Sequence, residues 1–83
     1  MKMKLVSVYD AKAQVFTPPM AFPTIGFAER SFVDAVNDPQ SQYNKHPEDY
    51  TLFRVGEFDD QTGMTENLDT PFSLGVALTF IKA

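Results

Sequence analysis

The run Phe72–Ile81 constrains this chain more than any other stretch. Phe72, Leu74, Val76, Leu78 and Phe80 alternate without a break against Ser73, Gly75, Ala77 and Thr79. A period of two is that of a strand, and five large apolar side chains on one face demand a cover. The cover is legible upstream. Ala28, Phe32, Ala35 and Val36 recur at helical spacing after Thr24, a residue type that caps helix N-termini, and Asn37-Asp38-Pro39 supplies the stop. One helix laid on a mainly antiparallel sheet is the architecture this implies.

The remaining elements follow from turn chemistry. Lys2 to Tyr9 is rich in β-branched and aromatic residues and ends at a turn, Asp10–Ala13, from which Gln14–Phe16 returns as a second strand. Pro18-Pro19 ends the ladder there, because proline has no N–H to donate. Met20–Pro23 is extended, since Phe22 precedes a proline. Gln40 to Asp49 has loop composition, and within it the polar neighbours of Tyr43 predict an exposed ring. Tyr50 to Phe58 reads as a strand with Phe53 and Val55 on one face, Leu52, Arg54 and Phe58 on the other, and Phe53 taken as core. Asp59–Gly63 forms a hairpin loop with glycine at positive φ, and Met64–Leu68 returns as a short strand. The expected fold class is therefore α+β, a single helix packed on a mainly antiparallel sheet in the order β-β-α-β-β-β. The small residues opposite the Phe72–Phe80 face leave room for a second subunit.

With 83 residues the chain is one domain, 1–83. A domain of this size buries only roughly 60–65% of its unfolded surface, so pairing with another copy is an ordinary way to gain stability. The absence of cysteine removes disulfides and thiolate metal sites. No run approaches the ~20 apolar residues that span a bilayer, and the N-terminal stretch lacks a signal-peptide core, so a cytosolic protein is expected. The formal charge of −4 counts mildly against nucleic acid, but its distribution is uneven. Residues 1–12 carry Lys2, Lys4 and Lys12 against Asp10, whereas 57–69 carry five carboxylates and no base. If the fold keeps these ends apart, one face is basic and another acidic.

His46, Glu48 and Asp49 form the one cluster able to bind metal or move protons, but no second histidine or cysteine completes a site. Pro47 makes this stretch a turn. No serine sits in a nucleophile elbow, the four glycines share no phosphate-loop spacing, and Asp59-Asp60 is turn chemistry and not an EF-hand. The expectation is a non-enzyme with no metal and no cofactor. What remains is a stacking surface of the kind that holds single-stranded nucleic acid. Tyr9, Phe16, Tyr43, Tyr50 and Phe53 are interleaved with Lys4, Lys12, Lys45 and Arg54.

In NDPQSQYNKHPEDYTLFRVGEFDDQTG, with KLVSVYDAKA at the start and FVDAVNDP at the helix end, the chain resembles the small non-structural protein of gokushoviruses, tailless single-stranded-DNA phages of the microvirus family. The similarity covers Lys4 to Gly63. The resemblance implies a replication-associated protein of the host bacterial cytoplasm, acting in single-stranded DNA synthesis and binding DNA. Lys2, Lys4, Tyr9, Lys12, Tyr43, Lys45, Tyr50 and Arg54 are then the candidate nucleic-acid residues, in a homodimer. The other reading is a protein–protein module that meets a viral or host replication protein through an acidic face without touching DNA.

Overall fold

In the computed structural model, which describes residues 1–82, five strands and one long helix are present. The elements are β1 (Lys2–Asp10), β2 (Val15–Phe16), β3 (Met20–Phe22), α1 (Ile25–Val36), α2 (Gln42–Lys45), a 3-10 turn (Pro47–Asp49), β4 (Tyr50–Asp59), β5 (Thr65–Val76) and a C-terminal 3-10 turn (Ala77–Phe80). All pairings are antiparallel, in the order β2-β1-β4-β5, with β3 also beside β1. The α+β class expected from the sequence is the observed one.

The edge beyond β1 is a single strand interrupted by its prolines. Tyr9 faces Phe16 and Val6 faces Met20, so Thr17-Pro18-Pro19 bulges opposite Ser7-Val8. Prolines are tolerated there because an edge leaves one row of N–H positions unpaired. Thr17 closes the gap: its N–H donates to Val8 O (2.9 Å), and its Oγ1 accepts from Val8 N (3.0 Å). Ser7 Oγ donates to Thr17 O at 2.6 Å, which satisfies the one buried polar residue among the described residues. Pro18-Pro19 thus breaks the ladder as expected, and the ladder resumes at Met20, a strand the sequence order did not include.

Helix α1 forms where the local signals place it. Thr24 Oγ1 accepts from Phe27 N at 3.1 Å, and Asn37 caps the other end. Ala28, Phe32 and Val36 bury against Val6, Val8 and Leu52 of the two central strands, and Ala77 closes this core.

Three expectations are corrected. Phe72–Ile81 is not one strand. The short strand expected at Met64–Leu68 and the first half of this run belong to β5, with Leu68–Pro71 looping out opposite Val55. Past Gly75, at φ 139°, the chain turns into the 3-10 segment. A twelve-residue helix covers β1 and β4 but does not reach the edge strand, so Phe72 stays 62% exposed; Leu78, in the 3-10 turn, is 55% exposed. The turn instead folds Phe80 back onto Phe32 (ring centroids 5.9 Å) and buries Ala77, expected on the small reverse face. Asn37 fixes this return, its Nδ2 donating to Phe80 O (3.0 Å) and its Oδ1 accepting from Lys82 N (2.8 Å).

The second correction concerns Gln40–Asp49, which is helical for most of its length. Ser41 caps α2 by accepting from Asn44 N, and Asn44 Nδ2 donates to Val36 O at 3.0 Å. Tyr43 is carried inward by α2, its ring 5.4 Å from that of Phe32, so it packs on the core and is not exposed. The third concerns β4, where Leu52 takes the core position and Phe53 faces the other side of the sheet.

Candidate nucleic-acid interface

The basic and acidic ends of the sequence are not kept apart. Antiparallel pairing of β1 with β4 sets Lys2 opposite Asp59 and Lys4 opposite Glu57. Lys4 Nζ lies 3.0 Å from Glu57 Oε2, Arg54 Nη2 3.7 Å from Glu57 Oε1, and Lys2 Nζ 3.9 Å from Glu66 Oε1. The N-terminal ammonium meets Asp60 Oδ1 at 2.8 Å. Three of the eight candidate residues, Lys2, Lys4 and Arg54, therefore lie against two carboxylates of the β4–β5 hairpin, Glu57 and Glu66.

The Lys4 hydrogen bond, then the Lys4 charge and more weakly Arg54 and Lys2, hold the Glu57 carboxyl below its ordinary value. A carboxylate lowered in this way stabilises the fold above its unfolded pKa, and that contribution is lost as pH falls through the folded one. Urea midpoints are accordingly expected to drop between neutral and acid pH, and to drop less in Glu57→Gln. Equal losses in both proteins would remove Glu57 from the acid response.

The aromatic candidates divide between the two faces of the sheet. Tyr50 stands on the helix side with its ring edge-on to Tyr43 at 4.8 Å. Burial raises both hydroxyl pKa values, that of Tyr50 further through Asp10. These two rings belong to the core rim. Tyr9 lies on the opposite face, 4.8 Å from Phe16, which in turn lies 5.4 Å from Phe53. The three rings form a row across β1, β2 and β4 that no element among the described residues covers, with Phe16 41% exposed. Phe53 lies outside the core that its alternation predicts, because a strand pattern gives two faces without saying which one the helix takes.

Lys12, in the turn between β1 and β2, and Lys45, at the end of α2, are exposed and pair with no carboxylate among the described residues. The Lys12 turn abuts the 3-10 turn through Ala11 N to Asp49 O (2.9 Å). A shallow cleft of about 270 Å³ separates them, lined by Asp10, Lys12, His46, Asp49 and Tyr50. The His46, Glu48 and Asp49 donor atoms come within 4.8 Å of one another, all from one exposed turn. Of the eight candidates, Tyr9, Lys12 and Lys45 remain available at this end of the molecule. Phe16 and Phe53 join them through pairing that no local pattern reveals.

A core on one side of the sheet and a row of aromatic rings on the other define a small α+β protein. The chain belongs to the Phage ORF5 protein family, whose model matches residues 3–80, and is thus a bacteriophage protein. Comparison with curated proteins and with solved structures gave no match.

Proposed function

We propose that this phage protein acts in viral DNA replication in the host bacterial cytoplasm by holding single-stranded DNA on the row Tyr9–Phe16–Phe53, with Lys12 and Lys45 meeting phosphates. The uncovered row carries the reading, since successive bases stack on such rings without any catalytic group. Membership of a phage family and the resemblance to gokushovirus non-structural proteins support it. Duplex DNA, whose bases are already stacked, is the poorer ligand.

Titration of labelled oligothymidylate tests this. Phe16→Ala is expected to weaken binding by roughly 10-fold, the lower range for one lost base stack. Lys4→Glu is expected to change little, because Lys4 already meets Glu57. With two free lysines the salt slope should be shallow, about −1.4 in log–log form. No binding at low salt ends the DNA reading, and equal affinity for duplex ends the stacking mechanism.

The second reading, a module for a viral or host replication protein, is favoured by one observation. Lys2, Lys4 and Arg54 lie against Glu57 and Glu66 within the chain, and the net charge is −4. Capture of a replication protein by the nuclease-treated chain, lost in Glu66→Lys and kept in Phe16→Ala, would select it.

A further inference from the structure

Cross-strand partners in the central pair sort charge by face. On the helix side Lys2 opposes Asp59, Lys4 opposes Glu57, Val6 opposes Arg54 and Asp10 opposes Tyr50. On the open side Met3 opposes Phe58, Leu5 opposes Gly56, Ser7 opposes Phe53 and Tyr9 opposes Thr51. Every charged residue of this pair is on the first face and none is on the second. The row of rings continues there into an apolar depression lined by Phe16, Thr17, Pro19, Val55 and Pro71 with Ser7 at its floor.

We infer that a second copy of this chain covers the open face, sheet against sheet. An uncharged face is self-complementary, because a two-fold axis brings no like charges together on it. Two antiparallel sheets packing through apolar faces about 10 Å apart is the ordinary way such a surface leaves water. The uncharged face runs the full length of the central pair, from Met3 opposite Phe58 to Tyr9 opposite Thr51. The need is present too, since the buried apolar core comprises seven residues, all on the helix side. The carboxylates of the central pair, Asp10, Glu57 and Asp59, stay on the helix side, where they do not oppose closure.

Rings packed against a second copy cannot stack bases, so this dimer and the DNA-bound form are alternative states of one face, and the dimer does not depend on the DNA reading. Mass is therefore measured by sedimentation equilibrium without nucleic acid, from low to high micromolar protein. A dimer is expected. Val55→Asp, which buries an unpaired carboxylate on each copy, should weaken it by roughly 100-fold. Phe27→Asp, on the exposed side of α1, should leave it intact. Radical footprinting of the unmutated chain removes dependence on how Val55→Asp folds: Met3, Phe16 and Phe58 should gain protection as concentration rises, while Phe27 and Met64 should not. A monomer at high micromolar concentration overturns the dimer, and so does a dimer that protects Phe27 or Met64 in place of Phe16. A chain that dimerises yet binds no oligonucleotide at the dilution where it is monomeric would instead remove the DNA reading alone.

Discussion

Replacing Phe32 by alanine is expected to cost about 3–5 kcal/mol, a large share of the ~5–15 kcal/mol that holds a domain together. The reason is where the ring sits. Phe32 is 5% exposed in the middle of α1, beneath it lie Val6, Val8 and Leu52, and at its flanks are Tyr43 and Phe80. One side chain thus joins the helix, the sheet, the α2 turn and the C-terminal turn. Its removal leaves a cavity that none of the four can fill without losing contact with the others. The midpoint of a thermal melt followed by circular dichroism should fall by roughly 15–30 °C, as a loss of that size implies in so small a domain. Phe27, on the same helix, is the control. It is 46% exposed and touches Arg30, whose guanidinium carbon lies 4.9 Å from its ring centre, so Phe27→Ala should cost about 1 kcal/mol or less. Equal effects at the two positions would mean that α1 does not present the face described.

What the sequence revealed follows the range of the forces involved. Helix α1 was legible to the residue, because Thr24, the Ala28–Phe32–Val36 stripe and Asn37 act within a few positions of one another. The hairpin loop was legible for the same reason, Gly63 taking φ 76°. The end of β5 was not. The alternation Phe72–Phe80 is a local pattern, but whether a strand continues depends on whether anything covers it, and β5 is an edge strand beyond the helix. Gly75 lets the chain turn away instead. Tyr43 was misplaced for a related reason: its polar neighbours describe the outer side of a helical turn whose inner side it occupies.

Two of the eight candidate residues failed on long-range pairing. Lys2 and Lys4 look like an unopposed basic end until β1 lies against β4, and the carboxylates that meet them lie more than fifty residues on. Tyr9 survives as a surface ring because its partners Phe16 and Phe53 come from two other strands. A reading by composition finds aromatic and basic residues. It cannot sort them onto two faces of a sheet, and here the sorting separates Tyr9 from Tyr43 and Tyr50.

The second large effect is expected at Gly56, whose role is space and not conformation. Both neighbours of β4 lose register beside it. Against β1 the pairing shifts by one residue at Val55, and against β5 the four residues Leu68–Pro71 loop out. After these irregularities Gly56 is set between Leu5 and Asn67, with the β5 backbone pressed onto its α-carbon. A Cβ there would run into the carbonyl oxygen of Glu66 and stand 3.3 Å from the Asn67 α-carbon. Both are backbone atoms held in the ladder, so neither can swing aside as the end of a side chain would. Gly56→Ala should therefore cost about 2–3 kcal/mol, and Gly56→Val more, by forcing β5 away from β4. Gly63→Ala provides the comparison: nothing lies within 4 Å of its added Cβ, and only the positive φ opposes it, worth about 1–2 kcal/mol. Urea midpoints should rank the variants Gly63→Ala above Gly56→Ala above Gly56→Val. Hydrogen exchange in Gly56→Ala should quicken over Glu57–Asn67 while the amides of α1 keep their protection relative to global unfolding. A Gly56→Ala protein as stable as the unmutated chain would show that β5 is free to move outward at this point. The apolar open face would then have a flexible margin where the Val55 bulge now fixes its shape.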